Sequence, residues 1–310
     1  MIANTGKGGV GKTSVSAAMA HALASRGRRV LLMQLNARDR IGAWWGTDPI
    51  GPEIRSLAPN IDAVNTTPAE AMREYALMIL RVKALYRAVF ENRLVEKFLR
   101  VVPGLPELVM LGKACFHVFE ESSPGVSRYD AVIVDAPATG HGMFLLQIPG
   151  VITRAIGSGH MADESRRMLE LLRDPARTSV NVVTHGEEMP INETIELVAR
   201  LRDELDVRVG YVIANALVSP AFTDDELRDV RDLRSVARGD EDLAALLDAA
   251  TFRASRCAEQ RAQIDRARRA LGLPVVEVPF YFDPTFDRSV IERMGAHVIM
   301  DVERANREAP

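Results

Sequence analysis

The chain of 310 residues has little of what marks several large protein classes. It carries two cysteines, Cys115 and Cys257, far apart and in no CxxC pair. That excludes a disulfide framework, and each thiol reads as a small buried apolar residue. Aromatic residues make up 5% of the chain and the formal charge is −3, so no basic, aromatic-studded face for nucleic acid is expected. No apolar run reaches the roughly eighteen residues that a membrane span requires. No basic segment with a hydrophobic stretch precedes the first motif, and we expect a cytoplasmic protein without stable membrane insertion. Internal repeats, proline-rich linkers and low-complexity blocks are also missing. The remaining balance, 47% apolar and 26% charged, is that of an ordinary globular protein and allows one α/β domain over 1–310 with a large core.

What is present is concentrated at the start. In MIANTGKGGVGKTS a very short apolar run leads into Gly6, Lys7, Gly8, Gly9, Val10, Gly11, Lys12, Thr13 and Ser14. From Gly6 the spacing is glycine, four residues, Gly11, Lys12, Thr13, the pattern of a phosphate-cradling P-loop. Glycines let successive amides turn inward on a phosphate chain, Lys12 reaches the β and γ oxygens, and the Thr13 hydroxyl can ligate Mg²⁺. The run SVSAAMAHALASRG reads as the helix that points its positive end at the same phosphates. ATP or ADP with Mg²⁺ is the expected ligand.

Further along, RVLLM, YDAVIVDAP, TSVNVVTHG, VRVGYVIAN and LPVVEVPF are apolar runs bounded by turn residues and separated by helical stretches. That alternation predicts a mostly parallel sheet flanked by helices, the α/β architecture of a P-loop NTPase. Residues 67–100 are largely helical in pattern, with Met78, Val82, Leu85 and Val89 spaced four, three and four apart, and a helical subregion is placed at about 67–111. The charge-dense stretch Thr223 to Leu243 reads as a solvated helical face, and the ending VERANREAP as frayed. By spacing alone, Asp135 at the end of its strand fits either a carboxylate of the Mg²⁺ shell or a cap on the next turn.

The loop GKGGVGKT carries a second lysine, Lys7, where an ordinary P-loop leaves the residue unspecified. In this it resembles the deviant P-loop class of dimeric ATPases: the MinD and ParA positioning ATPases, the nitrogenase iron protein, and the ArsA family of arsenite-pump and tail-anchored-protein targeting ATPases. The resemblance implies that Lys12 serves the chain's own ATP and Lys7 that of a dimer partner. It narrows at Asp135, Ala136, Pro137, Ala138, Thr139, Gly140, His141, Gly142 and MFLLQIP, which are similar to the ArsA switch II stretch DTAPTGHT and its leucine-rich continuation. Ala136 and Gly142 replace threonines of that pattern, and the Ala-Pro order is exchanged. The same resemblance makes Asn215, in VIANAL, an adenine contact, and gives Pro279 and Phe280, in VPFYF, to the loop over the base. Asn215 alone would read as a turn residue.

The departures shape the functional expectation. Cys257 stands alone where the targeting members carry a zinc CxxC, and one thiolate per subunit leaves tetrahedral zinc two ligands short, so no zinc is expected. Two distant cysteines do not form the three-thiol metalloid site of the arsenite-pump members. The stretch between switch II and the next strand is too short to enclose a membrane helix, which favours a smaller hydrophobic client or a protein partner. In VLLMQLNARDR the ArsA switch I aspartate aligns with Asn36 and its proline with Ala37, leaving Asp39 as a substitute base if the loop folds it inward. The expectation is a slow ATPase switch, a homodimer or a heterodimer with a paralogue, coupled to a client. A non-enzymatic ATP-gated module and a MinD- or ParA-type positioning ATPase are the alternatives.

Overall fold

A computed structural model of the chain describes residues 1–80, 104–137, 139–237 and 239–308. In chain order these form β1 (Ile2–Thr5), α1 (Lys12–Ala24), β2 (Val30–Leu35), α2 (Ile41–Trp44), β3 (Arg55–Ala58), β4 (Ile61–Thr66), α3 (Pro68–Leu80), α4 (Leu105–Phe119), β5 (Glu121–Ser123), β6 (Val126–Ser127) and β7 (Ala131–Asp135). There follow α5 (Thr139–Ala155), α6 (His160–Arg173), β8 (Ser179–His185), α7 (Glu188–Asp203), β9 (Val209–Leu217), α8 (Asp224–Val236), α9 (Glu241–Leu271), β10 (Val275–Pro279) and α10 (Arg288–Glu308).

All five apolar runs become strands of one eight-stranded sheet in the order β10-β9-β8-β1-β7-β2-β4-β3. Every pairing in it is parallel except β3 with β4. The β3–β4 hairpin at the edge was not expected from the sequence. Its turn passes through Asn60 at φ 65°, a conformation that asparagine tolerates better than most side chains. Alternate strand residues feed two faces. Leu31, Met33, Val132, Val134, Val180 and Val182 face a large core shared with α4, α5, α6 and α7, whereas Leu32, Ile133 and Ala63 pack against α1 and α2. Helix α10 closes the second face through Ile291, Met294 and Val298.

Because α/β crossovers return every parallel strand in the same direction, all the loops that follow these strands gather at one edge of the sheet. The P-loop after β1, the segment after β2 and the segment after β7 meet there. Of the helical subregion, α3 and α4 are helices, while Val82, Leu85 and Val89 lie outside the described residues. The charged stretch is α8, exposed and started by a capping box between Thr223 and Glu226. The ending corrects the expectation of fraying: helix α10 runs to Glu308, with Ala305 buried and the Tyr211 hydroxyl bonded to Asn306 at 2.8 Å. Among the described residues no helix is long and apolar enough to cross a membrane.

Candidate functional site

Two glycines fix the path of the P-loop. Gly6 lies at φ +143°, where a Cβ would sit 2.1 Å from the Val183 carbonyl oxygen. Gly11 lies at φ +86°, where a Cβ would meet the Asn215 amide nitrogen at 2.2 Å. A side chain at Gly6 would have to move the β8 backbone, and one at Gly11 would have to displace the Asn215 amide. The Asn215 Nδ2 donates to the Val10 carbonyl at 2.9 Å, tying the loop to the end of β9. Asn215 is buried, and its amide nitrogen is engaged by the P-loop. Gly8 and Gly9 are exposed at the loop's tip, Val10 is buried beneath it, and the Ser14 hydroxyl closes the first helical turn by donating to the Gly11 carbonyl at 2.9 Å.

The Lys12 ammonium folds back over this loop and donates to the carbonyls of Gly6 at 3.0 Å and Lys7 at 2.9 Å. Burial pushes its pKa down, opposed by the charge of Asp135. Across the strand boundary the Thr13 hydroxyl donates to Asp135 Oδ2 at 2.7 Å. Asp135 is almost wholly buried, and desolvation raises its pKa to about 6 against the opposing pulls of the Thr13 hydrogen bond, the Lys12 charge and Ser16. A carboxylate and a hydroxyl side by side at the foot of a phosphate cradle are hard oxygen donors, the set that suits Mg²⁺ when phosphate and water complete its shell. Among the described residues no group of three His, Cys, Asp or Glu side chains converges as a metal site of its own.

Asp135 belongs to a row that sequence reasoning missed. In register, Asn181 of β8 stands beside Asn4 of β1, Asn4 beside Asp135, Asp135 beside Gln34 of β2, and Gln34 beside Asn65 of β4. All five are buried. Asn181 donates to Asn4 at 3.0 Å, Asn4 to the Ser16 hydroxyl at 2.9 Å, and Asn65 to the Ala37 carbonyl at 2.8 Å. The signal was present as single polar residues inside apolar runs, but only strand pairing aligns them.

Lys7 reaches Glu193 of α7 at 2.6 Å, both partly exposed, a contact between residues far apart in sequence that no motif announced. Asn36 stands exposed at φ 53°, its backbone N–H bonded to the Thr66 carbonyl at 2.8 Å. The Asp39 carboxylate accepts from three backbone N–H groups: Ile41 at 3.0 Å, Gly42 at 3.2 Å and Ile50 at 3.0 Å. It therefore closes its own loop and starts α2, and its lone pairs are held by that work. At the end of α2, Trp44 packs on Phe286 with ring centroids 5.1 Å apart.

After β7, Thr139, Gly140 and His141 begin α5, and Ala138 lies outside the described residues. Gly142 has a steric reason to depart from threonine: a Cβ there would lie 2.7 Å from the Thr5 hydroxyl and 2.8 Å from the Pro137 carbonyl. Pro279 ends β10, and Phe280, 48% exposed, packs against Phe282 with centroids 4.7 Å apart. That leaves an aromatic lip beside the P-loop tether at Asn215.

Comparison with known proteins extends over most of the chain. The family model described as anion-transporting ATPase matches residues 1–158 and 158–237. A putative ATPase of Mycobacterium bovis and the ATPase BagA of Mycobacterium tuberculosis are each 29% identical over 304 residues, covering 90% of this chain and 86% of theirs. An arsenical pump-driving ATPase of Acidiphilium multivorum is 31% identical over 237 residues, covering 70% of this chain and 39% of that protein.

Proposed function

The chain belongs to the anion-transporting ATPase family and is an ATP-hydrolysing enzyme, and from that premise we propose that it is a slow, nucleotide-driven dimeric switch built as one domain over residues 1–310. The observation that carries this reading is the junction of the P-loop with Asp135. Lys12, bonded to two carbonyls of its own loop, occupies the concavity of the turn and can exchange those carbonyls for the β and γ oxygens of ATP. Thr13 and Asp135, already 2.7 Å apart, would hold Mg²⁺, Asp135 directly or through water. When bound, the cation neutralises charge on the phosphate oxygens.

The residues that act on water are fewer than in the related pattern. Asn36 can orient a water molecule with its amide but cannot take its proton, and Asp39 is engaged by three backbone amides. Hydrolysis then rests on positioning and on the charges of Lys7 and Lys12, which supports turnover below the usual median of about ten per second. Lys7 is held by Glu193 of its own chain, and a role at a partner's nucleotide requires it to leave that exposed pair, a small cost at a surface ion pair. Asn215, Pro279 and Phe280 flank the adenine side, with the Phe280–Phe282 lip as a stacking surface.

A hydrophobic client or protein partner is supported by a cavity of about 770 Å³ between α3, α4 and α6, walled by Ile54, Tyr75, Leu108, Val109 and Met161. Most charged side chains around it are paired, Lys113 with Glu74, Arg128 with Glu120 and Arg167 with Glu164, while Glu53 lines the rim. That balance favours an uncharged occupant.

The test is calorimetry of ATP binding with and without Mg²⁺ on the wild type and a folded Lys12→Ala variant. Binding that needs the cation and weakens at least about a hundredfold in the variant supports the site. Unchanged affinity in Lys12→Ala refutes it.

A further inference from the structure

The side chain of Gln34 is wholly buried in the middle of the sheet, yet neither its amide nitrogen nor its amide oxygen has a hydrogen-bond partner among the described residues. Buried polar groups are almost always paired, and an amide left bare at both ends in a sheet core carries a desolvation cost that an apolar residue of the same shape would avoid. The neighbours on the same face of β2, Val30 and Leu32, are apolar and packed, so the strand itself has no use for an amide here. Its cross-strand neighbour, however, is Asp135, and on its other side stands Asn65, whose amide holds the Ala37 carbonyl of the segment after β2. Every other member of the row makes at least one side-chain hydrogen bond, although Asn65 Oδ1 is unpaired; Gln34 alone in the row keeps both ends open beside the carboxylate that would face the cation.

We propose that Gln34 is a positioning residue for the metal-bound nucleotide: its amide oxygen accepts a hydrogen bond from the hydration shell of the cation that Asp135 and Thr13 hold, and so couples cation binding to the segment carrying Asn36. An amide is suited to this work, since it accepts from water at one end and donates at the other without adding a second negative charge next to Asp135. The proposal rests on the nucleotide reading given above and adds to it a residue of β2, two positions before Asn36.

The test uses Gln34→Met, close in shape and unable to make either bond. Two quantities are measured by calorimetry and thermal unfolding: the ratio of ATP affinities with and without Mg²⁺, and the stability of the ligand-free protein. The expected result is a Mg²⁺-dependent gain in affinity reduced about tenfold, the size of a hydrogen bond within a charged site, with metal-free affinity unchanged and a ligand-free protein at least as stable as the wild type. A residue of purely structural value would give the opposite pair, an unaltered Mg²⁺ ratio and a less stable fold, and either half of that result overturns the proposal. If the wild type itself gains nothing from Mg²⁺, the nucleotide reading falls and this inference with it. A wild-type gain retained in full by Gln34→Met removes Gln34 alone.

Discussion

The loop after β1 and the segment after β2 leave the same edge of the sheet, two strands apart, and are stiffened by different means. The first is shaped by what cannot be added to it: at Gly6 and Gly11 the backbone of β8 and the amide of Asn215 stand where a Cβ would go. The second is shaped by what has been added, the Asp39 carboxylate and the three backbone amides it gathers. Steric exclusion leaves the P-loop's own polar groups to bind, with Lys12 bonded only to carbonyls that phosphate oxygens can replace. Polar closure uses up Asp39, the acid nearest Asn36 in the second segment. The difference teaches that exclusion leaves a loop's polar groups free for a ligand, whereas polar closure spends them on the loop itself.

The largest effect should follow from breaking the steric corner. Gly6→Ala forces a Cβ onto the Val183 carbonyl and should cost roughly 3 kcal/mol of stability, measured by urea unfolding of the ligand-free protein. A cost no greater than that of Asp39→Ala would erase the contrast.

Asp135→Asn should act next, and with a pH signature. The folded-state pKa is about 6 against an ordinary 3.8, so the folded protein holds this proton more tightly than the unfolded chain. The resulting stability is present below pH 4 and is lost as pH rises through 6. Removing the charge should therefore stabilise the ligand-free protein by roughly 2 kcal/mol at pH 7.5, the gain shrinking between pH 6 and 4 and vanishing below. Thermal unfolding across that range checks it, and a gain independent of pH would be the wrong sign of cause.

In the second segment, Asn36→Asp places an acid at the exposed position after β2, which tests the proposed role of that position toward water. Single-turnover hydrolysis should rise about tenfold, short of the hundredfold or more that a fully positioned base supplies. The smallest change belongs to Asp39→Ala, a loss of about 1 kcal/mol from the opened cap with the single-turnover rate per folded molecule preserved. A rate that collapses in Asp39→Ala while stability holds would make Asp39 the base after all.

Much of this edge was readable from the chain itself. The P-loop is a local motif in which spacing and residue type carry the chemistry, and the five apolar runs specify strands because each is buried on both faces. The β3–β4 hairpin was missed because Arg55 and Ser56 are exposed and the edge pairing needs no apolar run. The row from Asn181 to Asn65 and the Lys7–Glu193 pair depend on register and on contacts between residues distant in sequence, which no local window contains. Asp39 was legible as a loop carboxylate, but its engagement by Ile50 is a property of how the loop returns.

The chain's two tryptophans, Trp44 and Trp45, stand side by side at the end of α2, the first against Phe286. All indole emission therefore originates from the end of one short helix in the segment after β2, and the protein carries its own optical gauge of that segment. A shift in emission wavelength or quenching on adding nucleotide reports movement there without a label, and stopped-flow traces can time it against phosphate release.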